Sequence, residues 1–395
     1  MDHKSIFVLG RQPAIGRAEL ESLFGVEHLE RIGDFAVATD IPLDDIQFDR
    51  IGSSIRLARP LSTIPTTKWA DIVRHIMKEL PNNMDYIPEG KVKLGVSVYG
   101  IKTTPRQLLR LGLEAKKLAR PTGRSVRIVP NTELTLNTAQ VLHNGLTGAS
   151  GRETLCIKYG NKTYFAQTVA IQNIDAYARR DHGRPKRDAY VGMLPPKLAQ
   201  TIINLGTGPL PAQTENIVLD PFCGTGVVLQ EALLMGYGAY GSDIEPRMID
   251  YSAKNLEWLT TIKGDISDPT LEVGDATSHK WQHPFSVVAG EAYLGRALKQ
   301  WPTPEKMQEI IGTCNLITQK FLENLATQIP TGTRCCIAMP AWQAPDGRIL
   351  HLPTLDRLEI LGYNRVRFLG ASEKEMVYHR PDQLVARELL VITRK

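Results

Sequence analysis

The chain has 395 residues, 47 Lys and Arg against 42 Asp and Glu, and 42% hydrophobic residues, a length that predicts two or three domains, each able to bury a core. No window approaches the roughly 18 uninterrupted apolar residues of a membrane helix and no early apolar run follows MDHKSIFVLG, so a cytoplasmic protein is expected and a membrane is not. Five cysteines, Cys156, Cys223, Cys314, Cys335 and Cys336, form an odd set without CxxC spacing, which argues against a disulfide framework and against zinc, and no metal is expected.

The charge is uneven. Residues 1–50 hold 5 basic and 10 acidic side chains, 51–200 hold 24 and 10, and 201–395 hold 18 and 22. A basic middle between two acidic flanks predicts a polyanionic partner that touches the middle most.

In chain order, residues 1–60 alternate strand-like IFVLG and FAVATD with a helix-like AELESLFG and read as a small α+β unit. Residues 61–175 continue with the helix WADIVRHIMKEL, the strand KVKLGVSVYG, the basic helix TPRQLLRLGLEAKKLA, the strand RSVRIVPN, the helix NTAQVLHNGL and the strands ETLCIKYG and KTYFAQTVA. Lys102 to Arg127 holds eight basic residues and one acid, Glu114. Arg106, Arg110 and Lys117 share one helical face, with Leu109 and Leu113 expected to turn inward. Residues 176–194 have little periodicity and read as a basic linker carrying Arg179, Arg180, Arg184, Lys186 and Arg187. Pro195-Pro196 then suits the first turn of a helix, and 195–395 alternates strands and helices in the manner of a parallel sheet covered on both faces.

The most informative segment is VLDPFCGTGVVLQEALLMGYGAYGSDIEP, residues 218–246. An apolar strand ends on Asp220, a turn through Gly224, Thr225 and Gly226 follows, and a helix begins at once. Glycine lets the backbone approach a ligand closely, and the helix N-terminus offers free N–H groups. About 20 residues on, a second strand ends on Asp243, where a carboxylate can accept ribose hydroxyls. This pattern implies a nucleoside cofactor. Further on, FSVVAGEAYLGRAL places a carboxylate, Glu291, where a short strand stops.

DPFCGTG resembles motif I of the methyltransferases that modify exocyclic amines of nucleic-acid bases. The whole order of segments resembles the THUMP-containing tRNA guanosine N2-methyltransferases of the guanosine-10 type. The resemblance implies S-adenosyl-L-methionine as cofactor, tRNA as partner, and a Rossmann-like sheet of seven mostly parallel strands preceded by an α+β region, with a ferredoxin-like part at 1–60 and THUMP at 61–175. It carries cofactor binding onto Asp220, Pro221, Phe222, Gly224, Thr225, Gly226, Asp243, Ile244, Asp275 and Ala276. Asp275 takes the adenine-contacting place, with Asp265 as a competing candidate. RNA binding falls on Lys102, Arg106, Arg110, Lys117, Arg124 and the arginines and lysine of the linker. EAYLG stands where the family has a DPPY-like motif. Aligned on the terminal glycine, Glu291 takes the place of the acid and Tyr293 the role of the stacking aromatic; aligned on the tyrosine, Gly290 takes the place of the acid. The rival to an enzyme is a protein that binds cofactor and RNA without transferring a methyl group; within the enzyme reading the alternative acceptor is another RNA amine.

Overall fold

The computed structural model describes residues 2–85, 90–120, 123–188, 193–264, 266–298, 300–380 and 383–395. The chain divides into two compact units, one made of Met1–Pro13, Val26–Asp49 and Ser54–Asp175, the other of Ala14–Gly25, Arg50–Ser53 and Ala176–Lys395.

Strands β1 (Ser5–Leu9), β2 (Leu29–Arg31), β3 (Ala36–Thr39), β4 (Ser54–Ile64), β5 (Val92–Tyr99), β6 (Val126–Ile128), β7 (Gly151–Tyr159) and β8 (Lys162–Ile171) form one sheet in the order β2-β3-β1-β4-β8-β7-β5-β6. The expected boundary at residue 60 falls inside β4, which pairs with β1 on one side and β8 on the other. Residues on both sides of that boundary therefore share a continuous ladder. Arg56 on β4 donates from Nε to Glu153 Oε2 at 2.9 Å, and Ser97 and Thr168 donate to the same carboxylate. These bonds satisfy a buried charge pair that would otherwise carry a large desolvation cost.

The helices of this unit include α2 (Trp69–Asp85), α3 (Pro105–Ala119) and α4 (Thr138–His143), α1 being placed below. Helix α3 opens on a capping box between Thr104 and Gln107, which satisfies two N–H groups left over at a helix start. Its buried stripe is Leu108, Leu111, Gly112, Ala115 and Ala119. Leu109 and Leu113, expected to face inward, are 48% and 55% exposed. The stripe is shifted by one position because Gly112 lets the helix close on Ile128, whose Cγ2 lies 2.5 Å from where a Cβ would stand.

In the second unit, β9 (Ile217–Asp220), β10 (Gly238–Asp243), β11 (Thr270–Val273), β12 (Val287–Glu291), β13 (Arg334–Gln343), β15 (Tyr363–Arg365) and β17 (Val385–Arg394) are ordered β11-β10-β9-β12-β13-β17-β15. The two-residue strands β14 (Ile349–Leu350) and β16 (Val377–Tyr378) pair with β13 and β17, making nine strands among the described residues where seven were expected. Strands β9 to β13 run parallel and β17 runs against β13. Alternation along the strands feeds two cores: Val218, Val287 and Cys336 face one cluster, Leu219, Val288 and Cys335 the other. This is the period of two that a sheet covered on both faces requires.

Helices α6 (Pro196–Thr207), α7 (Val227–Leu234), α8 (Pro246–Lys263) and α9 (Pro304–Ala326) belong to this unit. Most of α1 (Pro13–Phe24) does too, unlike the expected grouping of residues 1–60. The reason is visible at Glu19. This buried carboxylate accepts from Gly52 N at 3.0 Å, Ser53 N at 2.9 Å and Asn204 Nδ2 at 2.7 Å.

The region expected as an irregular linker begins with a helix, α5 (Ile174–His182). Two of its cations, Arg180 and Arg184, were expected to contact RNA and instead turn inward. Arg180 grips Glu231 on α7 through Nε at 2.7 Å and Nη2 at 3.2 Å, because that carboxylate is fully enclosed and needs a counter-charge. Arg184 is 3% exposed. Among the described residues no helix is long and apolar enough to cross a membrane, and no group of His, Cys, Asp or Glu is arranged to hold a metal ion.

Candidate active site

Because β10, β9 and β12 lie side by side and parallel, their carboxyl ends open onto one place. That is the usual position for ligands in such sheets. A cavity of about 550 Å³ lies there. Asp220, Pro221, Phe222, Gly224, Thr225, Asp243, Ile244, Asp275 and Ala276 line it, and so do Glu291 and Tyr293. Gly226 is the remaining predicted cofactor residue and stands behind the wall as the N-cap of α7. Asp265, the competing candidate, lies outside the described residues.

The turn after β9 depends on glycine. Gly226 has φ 80°, and a Cβ there would lie 2.9 Å from Ser252 Oγ. Ser252 Oγ in turn donates to the Gly224 carbonyl at 2.8 Å, and Asn255 Nδ2 donates to the Thr225 carbonyl at 2.8 Å. Helix α8 therefore holds the turn from behind and leaves its front open.

Asp243 bridges two segments. Its Oδ2 accepts from Gly224 N at 2.9 Å and its Oδ1 from Glu245 N at 3.0 Å. Each oxygen keeps capacity for a further donor. Burial pushes this carboxyl up, against the two N–H groups that pull it down. Asp275 accepts from the Thr277 N–H at 2.9 Å and hydroxyl at 2.8 Å, both on Oδ1. Beside them the side chain of Ile244 is 60% exposed, an apolar surface for a flat ring. Two carboxylates with spare acceptor capacity, an apolar shelf and a glycine turn suit a nucleoside with a charged tail.

Asp220 is enclosed, accepts from Phe222 N at 3.1 Å, and is pushed well above the usual carboxylate range, first by burial and then by the charges of Asp243 and Glu291. Gly290 sits directly against it: a Cβ there would come 2.3 Å from Asp220 Oδ1. This excludes a larger side chain at position 290, and Glu291 is the carboxylate that ends β12. The Cys223 thiol is buried and pushed well up by that burial, the behaviour of a packed thiol and not of a nucleophile.

Glu291 has a partner that sequence reasoning missed. Arg387 on β17 donates from Nε to Glu291 Oε1 at 2.5 Å. Burial raises the Glu291 carboxyl and the Arg387 charge opposes that rise. The available signal was Arg387-Glu388, a charged pair inside the otherwise apolar VARELLVI. Tyr293 follows Glu291 and is 41% exposed. Arg296 and, on α9, Leu316, Ile317 and Lys320 complete this side of the cavity. Arg296 and Lys320 form no ion pair among the described residues.

The predicted RNA-binding residues divide. Lys102, Arg106, Arg110 and Lys117 are exposed in the first unit, with Arg110 paired to Glu114 at 2.9 Å, and Arg124 is half-buried. In the second unit Arg179 and Arg187 are exposed, and Lys186 lies over the Tyr251 ring at 5.4 Å.

A family described as DNA methylase matches residues 102–254. A tRNA (guanine(10)-N2)-dimethyltransferase of Methanothermobacter thermautotrophicus is 29% identical over 161 residues, covering 41% of this chain and 42% of that protein. The enzyme of the same name from Pyrococcus abyssi is 38% identical over 105 residues, 26% of this chain and 29% of that protein. The matched stretches thus span less than half the length of these relatives. Among solved structures, TrmN from Thermus thermophilus superposes with a TM-score of 0.54 at 15% identity, covering 100% of both chains. SMU.472 complexed with SAH superposes with a TM-score of 0.52 at 11% identity, covering 100% of this chain and 99% of that one. The mixed α/β fold is shared with these structures.

Proposed function

We propose that this chain transfers a methyl group from S-adenosyl-L-methionine to an exocyclic base amine of tRNA, guanine N2 of the position-10 type. The observation that carries the reading is the meeting, in one cavity, of the Asp220–Gly226 turn, Asp243 and Asp275 with the strand-end carboxylate Glu291 and the exposed Tyr293. The names of the matched relatives support the substrate.

When bound, the cofactor supplies an electrophilic methyl group. In this reading Asp243 accepts the ribose hydroxyls, Asp275 accepts from the adenine amine, and the glycine turn admits the charged tail close to the N-terminus of α7. A guanine amine is a poor nucleophile because its lone pair is delocalised into the ring. Glu291 accepts one of its hydrogens and so frees electron density toward the methyl group, while Tyr293 holds the base by stacking. The exposed cations of the first unit, the ferredoxin-like and THUMP parts of the resemblance, position tRNA through its phosphates without reading sequence. Residues 195–395 carry the chemistry.

The test is mass spectrometry of nucleosides from unmodified tRNA incubated with the protein and S-adenosylmethionine. N2-methylguanosine or its dimethylated form is the expected product. Methylated adenine would replace guanine as the acceptor. No methylated nucleoside in any tRNA, with cofactor still bound, would refute transfer and leave a binding protein.

A further inference from the structure

Glu291 and Arg387 meet across a strand. On β13, Ala338 stands opposite Glu291 and Pro340 opposite Arg387. Two positions apart on one strand means the same face of the sheet, and the small Ala338 leaves room for the guanidinium to reach over. Arg387 is 6% exposed. The contact uses one nitrogen and one oxygen only, Nε on Oε1 at 2.5 Å. Arg180 and Glu231 show the alternative within the same unit, a fork that engages both carboxylate oxygens. At Glu291 the second oxygen takes no hydrogen bond from a described residue, is not among the enclosed unsatisfied atoms, and belongs to a residue lining the cavity.

We propose that Arg387 is a positioning residue for the transfer reaction: it clamps Oε1 so that Glu291 presents Oε2 to the amine of the target base. The inference rests on the proposed methyl transfer. A Glu side chain with three rotatable bonds needs such a clamp, because positioned catalysis loses about 10²-fold for an ångström of displacement. Asp220 on β9 lies within charge range of Glu291, and the other charged groups lining the cavity are Asp243, Glu245, Asp275, Arg296 and Lys320. Glu388 pairs instead with Arg365 at 3.3 Å.

The test is single-turnover transfer to unmodified tRNA at saturating cofactor, across pH, for wild type, R387M, R387Q, E291Q and E291Q/R387M. R387M is expected to be slower by about 10²-fold, with cofactor and tRNA affinities within about threefold of wild type. Glu291 acts as the anion, so activity falls as pH drops through its pKa. Removing the positive charge raises that pKa and moves the acid limb to higher pH in both R387M and R387Q. If Arg387 works through Glu291, the double variant is no slower than E291Q alone by more than about threefold. R387Q carries the pH measurement if R387M does not fold. A wild-type acid limb in the neutral variants, or a double variant slower than E291Q by the full R387M factor, overturns the inference while the methyltransferase reading stands. A wild type that transfers no methyl group overturns both.

Discussion

Replacing Asp243 by alanine tests the cofactor site at its most connected point. The carboxylate holds Gly224 N and Glu245 N at 2.9 and 3.0 Å, so the substitution frees two N–H groups and removes the acceptor proposed for the ribose hydroxyls. The N–H groups border an open cavity where water can replace their partner, which limits the cost to stability to about 1–3 kcal/mol. The cofactor loses a charge-assisted hydrogen-bonded pair of about 1.5–3 kcal/mol, or roughly 10–150-fold in Kd. Calorimetric titration with S-adenosylmethionine and thermal unfolding of the free protein read the two effects separately. The raised carboxyl adds a pH signature. Binding by wild type weakens as pH falls through the raised value, because the protonated acid no longer attracts both hydroxyls, and that dependence disappears in Asp243→Ala. A folded Asp243→Ala protein with unchanged affinity would refute the assignment of this strand end to a ribose.

Three further outcomes are expected. Asp220→Asn keeps the acceptor for Phe222 N and removes a buried charge; because burial raises this carboxyl, wild type loses stability as pH rises from its unfolded to its folded pKa. Thermal melts should therefore show the variant stabilised at neutral pH and equal to wild type near pH 4. Arg180→Ala takes away the two arginine hydrogen bonds of the buried Glu231 and leaves it only Gln200 and the charge of Arg184, and denaturant unfolding should register a loss of about 3 kcal/mol, with tRNA affinity unchanged in filter binding. Replacing Arg296 and Lys320 together with alanine should weaken tRNA binding and flatten its salt dependence by about two phosphate contacts, while calorimetry finds cofactor affinity unaltered.

Local chemistry made much of this protein legible from sequence. A glycine turn after a strand has few backbone solutions, so Gly224 and Gly226 announced the turn after β9, and Pro196 and Val227 marked helix starts that the structure repeats. Strand-end acids were equally readable, since a strand-like run that stops on Asp220, Asp243 or Glu291 leaves the pairing of the sheet at that carboxylate. Pairings between distant segments were not readable. Nothing within a few residues of Glu19 says that its partners are Ser53 and Asn204, so most of α1 was grouped with the wrong unit. A helical period is also too coarse to separate Leu108 from Leu109: the close approach of Gly112 to Ile128 decided which stripe of α3 is buried. Cations in a basic run look alike in sequence, and only the enclosed carboxylate of Glu231 determined that Arg180 turns inward. The same holds at the centre of the site. The sequence placed Glu291 at a strand end, but its partner comes from a strand 96 residues later, brought within reach because β17 runs antiparallel to β13 in a register that sets Arg387 opposite Pro340, two residues along from the Ala338 that faces Glu291.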